Sequence, residues 1–379
     1  MNFDLSDEQR MLAEQARGLL GARSTPDRLR TLIDDGAEWD ESLWRELSGM
    51  GFLGAALPEA YGGLGMTELD LGVISEELGR ANAALPFFSS IVLAADAIRL
   101  AGSEAQKETW LPRLASGEIV ACFAYAEGPG GWDDTAVQTR LDGNTITGSK
   151  SPVADAGIAS VAVVLAKRAG KPVLALVELD QPGVTRVKLD SFDQLRAHFE
   201  IGFDGASAEP LDAMLGAVAL ETLFDRAAVQ AAFEAVGGAD ACLHMARDYA
   251  MERQIFGRSL AGYQAIKHKL ADMLVGIELA RSNAYFAAWA AAQNESELPL
   301  AAAAARLTAT AAFENAAREN IQVHGGIGYT FEANCHFYYR RERTLALSLG
   351  ARERWADRLI AHLPAGEAAS SSKSEREAA

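Results

Sequence analysis

The spacing of apolar residues changes twice along this chain, near Ile119 and near Leu211, and these two changes limit its fold more than any other feature. Up to residue 118, apolar positions recur every three or four residues, the period of a helix with one buried face. Between residues 119 and 211 the apolar runs are short, rich in β-branched and aromatic residues, and separated by Gly, Pro, Asp and Asn. Beyond Leu211 the helical period returns. The expected organisation is a helical domain over 1–118, a β-barrel-like domain over 119–211 and a four-helix bundle over 212–363. The tail, 364–379, is small and polar and is expected to be disordered.

Local signals set the expected elements. Ser6-Asp7-Glu8 opens a first helix that puts Leu12, Ala16, Leu19 and Leu20 on one face. Further helices are predicted over 41–50, 67–79, 85–101 and 105–114, with a breaker-rich loop at 58–65. Strands are predicted over 119–125, 136–141, 145–150, 161–166, 173–177, 184–189 and 199–203, and Asp142-Gly143-Asn144 reads as a hairpin turn. The last third is alanine-rich, which lets helices approach closely. Its four helices are predicted over 224–253, 263–293, 301–324 and 340–362.

Composition removes several classes of function. A net charge of −17 opposes binding to nucleic acid or to an anionic membrane surface. No apolar run is long enough to span a bilayer. The three cysteines, Cys122, Cys242 and Cys335, are scattered and odd in number, which points to a reducing compartment. The six histidines fall in no H-x-x-x-H arrangement, so no metal site is expected. The start, MNFDLSDEQR, is acidic and polar and does not read as a leader, so a cytoplasmic location is expected.

The stretch 249–264, YAMERQIFGRSLAGYQ, carries the first functional signal. It reads as a helix that stops at Gly257 and restarts at Gln264, bringing Arg253, Phe256 and Gln264 to one corner. A guanidinium, a ring and an amide there suit a phosphate-bearing cofactor. An arginine at a helix end is equally a complement to the helix dipole.

The pattern R-x-x-F-G-x-x-x-x-x-x-Q from Arg253, together with IQVHGGIGY at 321–329, resembles the acyl-CoA dehydrogenase flavoproteins. PEAYGGLG at 58–65 and QKETWLPRLASGE at 106–118 extend the resemblance over nearly the whole chain. It implies the acyl-CoA dehydrogenase fold and an FAD cofactor at a subunit interface. It also implies a glutamate base at the acyl α-carbon and hydride transfer from the β-carbon to flavin. Arg253, Phe256, Gln264, Gln322, Gly325 and Gly326 match the residues that hold the phosphate end of an FAD lying in a neighbouring subunit. Ile255 departs from the polar residue common there.

The same resemblance exposes losses. The ring-binding stretch T-E-P-G-A-G-S-D is AEGPGGWD here (126–133), and K-x-W-I-T-N is Lys150-Ser151-Pro152-Val153-Ala154-Asp155. The two positions at which the family carries its base hold Leu349 and Ala227, and a thioester-gripping arginine is replaced by Ala228, although Asp225 is kept. Glu234, two turns beyond Ala227 on the same helix face, is the possible stand-in for the base, although at about 11 Å from that position it is too far for direct proton transfer. Phosphate contacts are kept while ring and base are lost. That pattern resembles the non-catalytic subunit of heteromeric, steroid side-chain type acyl-CoA dehydrogenases, as does CHFYYRRERTLALSLG at 335–350. The resemblance thus implies a catalytic homologue as partner in a heterotetramer, an acyl-CoA substrate and an electron-transfer flavoprotein as acceptor. Two alternatives stay open: a homotetramer with its base elsewhere, and a binding or structural protein that keeps only the fold.

Overall fold

The computed structural model describes residues 5–128, 136–211, 217–293 and 296–363. The expected tail and most of the 126–133 stretch lie outside the described residues. Helices α1 (Asp7–Arg23), α2 (Pro26–Asp34), α3 (Glu41–Gly49), α4 (Glu68–Arg80), α5 (Asp96–Ala101) and α6 (Glu104–Ala115) come first. Three of them begin with reciprocal caps, Ser6 with Gln9, Thr67 with Asp70 and Ser103 with Gln106, each pair satisfying two backbone N–H groups. Helix α2 was not expected, although Thr25 caps it and Pro26 sits in its first turn. The predicted 85–101 helix is instead a wider π-type segment, Phe88–Ala95, running into α5.

Strands β1 (Ala121–Ala124), β2 (Arg140–Asp142), β3 (Thr145–Ala154), β4 (Val161–Arg168), β5 (Lys171–Glu178), β6 (Val184–Leu189), β7 (His198–Ser207) and β8 (Glu209–Pro210) form one sheet. Its order is β6-β7-β3-β2-β4-β5-β8, and β1 pairs with β4 in parallel. Strand β3 runs past the expected end at Lys150. Its ladder with β7 is interrupted between Lys150 and Val153, where Pro152 has no N–H to give.

Helices α7 (Ala217–Glu252), α8 (Gln264–Gln293) and α9 (Leu298–His324) form the bundle. The fourth predicted helix, 340–362, is broken. Helix α10 (Cys335–Leu347) ends before α11 (Arg352–His362) because Leu349 (φ 59°) and Gly350 (φ 87°) both take left-handed backbone. Such a conformation is unfavourable for leucine. Here its N–H donates to the Tyr125 hydroxyl (3.0 Å), its carbonyl accepts from Trp355 Nε1 (2.9 Å), and its side chain is fully buried. The buried Arg306 guanidinium ties the preceding carbonyls of Leu345 and Ser348. No helix among the described residues is long and apolar enough to cross a membrane.

Candidate functional site

A cavity of about 290 Å³ opens where the sheet meets the bundle. Phe123 from β1 and Tyr125 just after it, Pro152 and Ala154 from β3, and Leu347 and Leu349 from the α10–α11 corner face it together. The position where the resemblance places a base and the strand where it places a flavin ring therefore border one space. Leu349 contributes an aliphatic wall. Ala227 is fully buried and does not line this cavity, and neither does Ala228. Asp225 accepts from Arg358 Nε at 2.6 Å, so its carboxylate is committed to tying α11 to α7.

Glu234 is committed as well. Its Oε1 accepts from Arg196 at 2.8 Å and from Arg341 at 3.3 Å. Arg341 is 1% exposed and also donates to Asp193 at 2.6 Å. Burial by itself raises Asp193, but the Arg341 charge and hydrogen bond hold it below the ordinary carboxylate range. Asp155, which accepts from Ser89 Oγ at 2.5 Å, completes the cluster. Burial pushes it up to about 6 against the pull of Arg196. The set thus holds three carboxyl groups against two guanidiniums.

At the far end of the bundle the chain does not stop at Gly257 as expected. Helix α7 ends at Glu252, and a short ribbon follows, β9 (Gln254–Ile255) paired with β10 (Arg258–Ser259). Phe256 (φ 51°) and Gly257 (φ 80°) are its two turn residues, the left-handed pair that a two-residue hairpin requires. The turn puts Phe256 at the tip, 96% exposed. Arg253 is exposed, and among the described residues its guanidinium has no hydrogen-bond or ionic partner. Gln264 starts α8 beside the ribbon, its amide 3.3 Å from His268 Nε2. Tyr249 on α7 stacks on His324 on α9, ring centroids 4.2 Å apart. That stack brings the ribbon and the Gln322–Gly326 segment to the same end of the bundle. Gln322 is exposed, and a side chain at Gly325 or Gly326 would meet open space.

This end fits the pyrophosphate of a dinucleotide. It offers an uncommitted guanidinium, an exposed ring, and glycine backbone that an anion can approach closely. Arg253, Gln264 and the Gln322–Gly326 backbone are the groups that would hold it. The cavity fits a flavin ring less well, since Pro152 lacks an N–H and Ala154 lacks a polar side chain.

Reading the sequence missed three features here: His198 and Tyr125 on the cavity, and the Arg341 cluster behind it. Arg341 had a signal. Phe337, Arg341 and Leu345 recur every four residues along the buried face of α10, so the arginine had to be a buried counter-charge.

Comparison with known proteins agrees with this layout. Residues 6–118 match the acyl-CoA dehydrogenase N-terminal domain and residues 216–363 match the acyl-CoA dehydrogenase C-terminal domain. The chain is 30% identical over 375 residues to probable acyl-CoA dehydrogenase YngJ of Bacillus subtilis (strain 168), covering 93% of this chain and 97% of that one. It resembles a solved chain of a variant of the Tcur3481-Tcur3483 steroid ACAD, with 31% identity, TM-score 0.85, and 94% and 97% of the two chains covered. It also resembles a chain of the ChsE4-ChsE5 complex from Mycobacterium tuberculosis, with 26% identity, TM-score 0.86, and 96% and 100% covered.

Proposed function

Since the chain belongs to the acyl-CoA dehydrogenase family, whose members bind FAD, we propose that it is the subunit of a heteromeric enzyme that completes the FAD site of a catalytic partner. The carrying observation is Leu349. The cavity at which the family places its base is walled there by a fully buried leucine, while the phosphate-binding end keeps Arg253 uncommitted. Two of the solved relatives are named for pairs of chains, one as a steroid enzyme, which supports both a partner and a bulky acyl substrate. Leu274, Val275 and Leu279 leave an exposed apolar stripe on α8, a surface on which another subunit can pack. Bound FAD would supply the hydride acceptor for oxidation of the acyl chain, and an electron-transfer flavoprotein would be the electron acceptor. In this reading the chain's own residues hold the phosphates, and Glu234 is structural.

Arg253→Ala should weaken FAD retention by about one to two decades, the worth of one charge-assisted hydrogen bond. It should leave the melting curve in place, because Arg253 is exposed and contributes nothing to the core. The assembled enzyme should carry one FAD per pair of unlike chains, read as flavin absorbance against protein concentration. One FAD per chain, or yellow and active protein from this chain alone, rejects the assignment in favour of a self-sufficient enzyme. Protein that stays colourless with every co-expressed homologue favours a binding or structural role.

Glu234→Gln should keep turnover within a few fold when assayed below its lowered melting temperature. Loss of a general base typically costs about a hundred- to ten-thousandfold. A drop of that size would give Glu234 a direct part in the chemistry, and the placement in the Arg196–Arg341 cluster would no longer account for it.

A further inference from the structure

His198 opens strand β7 and lines the cavity. Its Nδ1 lies 3.0 Å from the Arg196 carbonyl oxygen, an atom that only accepts, so the proton sits on Nδ1 and the Nε2 lone pair is free. Among the described residues no donor reaches Nε2, and it is not one of the buried atoms sealed from solvent without a partner. It therefore faces the open space of the cavity.

Apart from Asp190, whose carboxylate is exposed to solvent, the other polar side chains on the wall are engaged. Ser89 donates to Asp155, Ser348 Oγ to the Leu345 carbonyl and Thr344 Oγ1 to the Arg340 carbonyl. Arg196 is paired with Glu234, and Arg343 with Glu314 and Glu342. The remaining wall is hydrocarbon and aromatic, led by Phe88, Leu93, Phe123 and Leu349. Apolar space of this kind favours an apolar occupant, and a dry cavity of about 150 Å³ suffices for benzene. At about 290 Å³, this one suits a fused two-ring skeleton.

We propose that this cavity is a binding site for an apolar alcohol or phenol, whose hydroxyl donates to His198 Nε2 while its ring skeleton fills the space bounded by Leu349 and Pro152. The inference rests on the reading that no flavin ring occupies the cavity of this chain. Burial and the nearby Arg196 lower the imidazole pKa, so the ring stays neutral and its lone pair stays available at neutral pH. A ligand without a hydroxyl buries that lone pair unmatched, and this mismatch makes the site selective for a donor.

The test uses 2-naphthol and its donor-free analogue 2-methoxynaphthalene, titrated by fluorescence into the full-length protein, with its partner chain where one copurifies. The wild type should bind 2-naphthol saturably, one per copy of this chain, and prefer it about three- to tenfold over the methyl ether. His198→Phe should bind both alike. Ala154→Leu, which fills the cavity from β3 beside its ladder partner His198, should lose both. Circular dichroism melts establish that each variant is folded. Equal affinity for the two probes on the wild type, a preference that survives in His198→Phe, or no saturable binding overturns the inference. Flavin stoichiometry separates the two possible failures. One FAD per pair of unlike chains with no naphthol binding removes this site alone, whereas one FAD per chain removes the reading beneath it as well.

Discussion

Arg341→Met should lower the melting temperature by on the order of 10 °C. Arg341 donates to Asp193 and Glu234 and is 1% exposed, so truncation strands the buried Asp193 carboxylate and leaves Glu234 with Arg196 alone. Breaking a buried ion pair by removing one partner costs about 3–5 kcal/mol, and about 1 kcal/mol shifts the melting temperature of a domain of 150–250 residues by about 2–4 °C. Methionine nearly keeps the volume, so a cavity is not the cause. Arg341→Lys should recover only part of the loss. An ammonium is a point charge and cannot reproduce the planar fork that reaches Asp193, Glu234 and the Ala83 carbonyl together. Scanning calorimetry at fixed protein concentration reads all three forms. A shift under about 2 °C for the methionine variant would mean that the cluster is hydrated and contributes little.

Gly237→Ala carries the second large effect, and its sign is what makes it informative. Inside an exposed helix, glycine to alanine normally stabilises by about 0.8–1 kcal/mol. At Gly237 an added Cβ would lie 1.8 Å from the Glu76 carbonyl oxygen and 2.8 Å from Arg80 N, both backbone atoms of α4. The contact is mutual, because a Cβ on Gly79 of α4 would lie 1.9 Å from the Glu234 carbonyl oxygen of α7. Neither helix has a flexible atom that can yield, so the whole helix pair must separate. Overpacking of this kind costs about 1–3 kcal/mol and more where backbone must move. A drop of several degrees is expected, and FAD content should fall with it if α7 shifts. Gly276→Ala is the control. It sits within α8, and the nearest neighbour of its added Cβ is the Ala312 Cβ at 3.9 Å, ordinary contact. That variant should be neutral or slightly more stable. Similar changes at the two positions would show that helix propensity, and not the α4–α7 crossing, sets the outcome.

The sequence alone determined whatever depends on neighbours within a few residues. The cap at Ser6, the two changes of apolar period and the long alanine-rich helices all rest on i to i+4 contacts or on alternation along a strand. The reading failed where a local signal was ambiguous. Gly257 reads equally as a helix stop or as a hairpin turn. The hairpin forms because Phe256 also goes left-handed and β9 pairs with β10. Gly350 alone does not break a helical pattern, and α10 ends before it because Tyr125, Arg306 and Trp355 capture the backbone around Leu349. Only the tertiary structure decided the site. It joins β1, β3, β7 and the α10–α11 corner, more than two hundred residues apart along the chain, around one cavity. The role of Glu234 was hidden for the same reason. Its partners Arg196 and Arg341 lie on other elements, and the energy of a buried charge depends on which groups the fold places beside it.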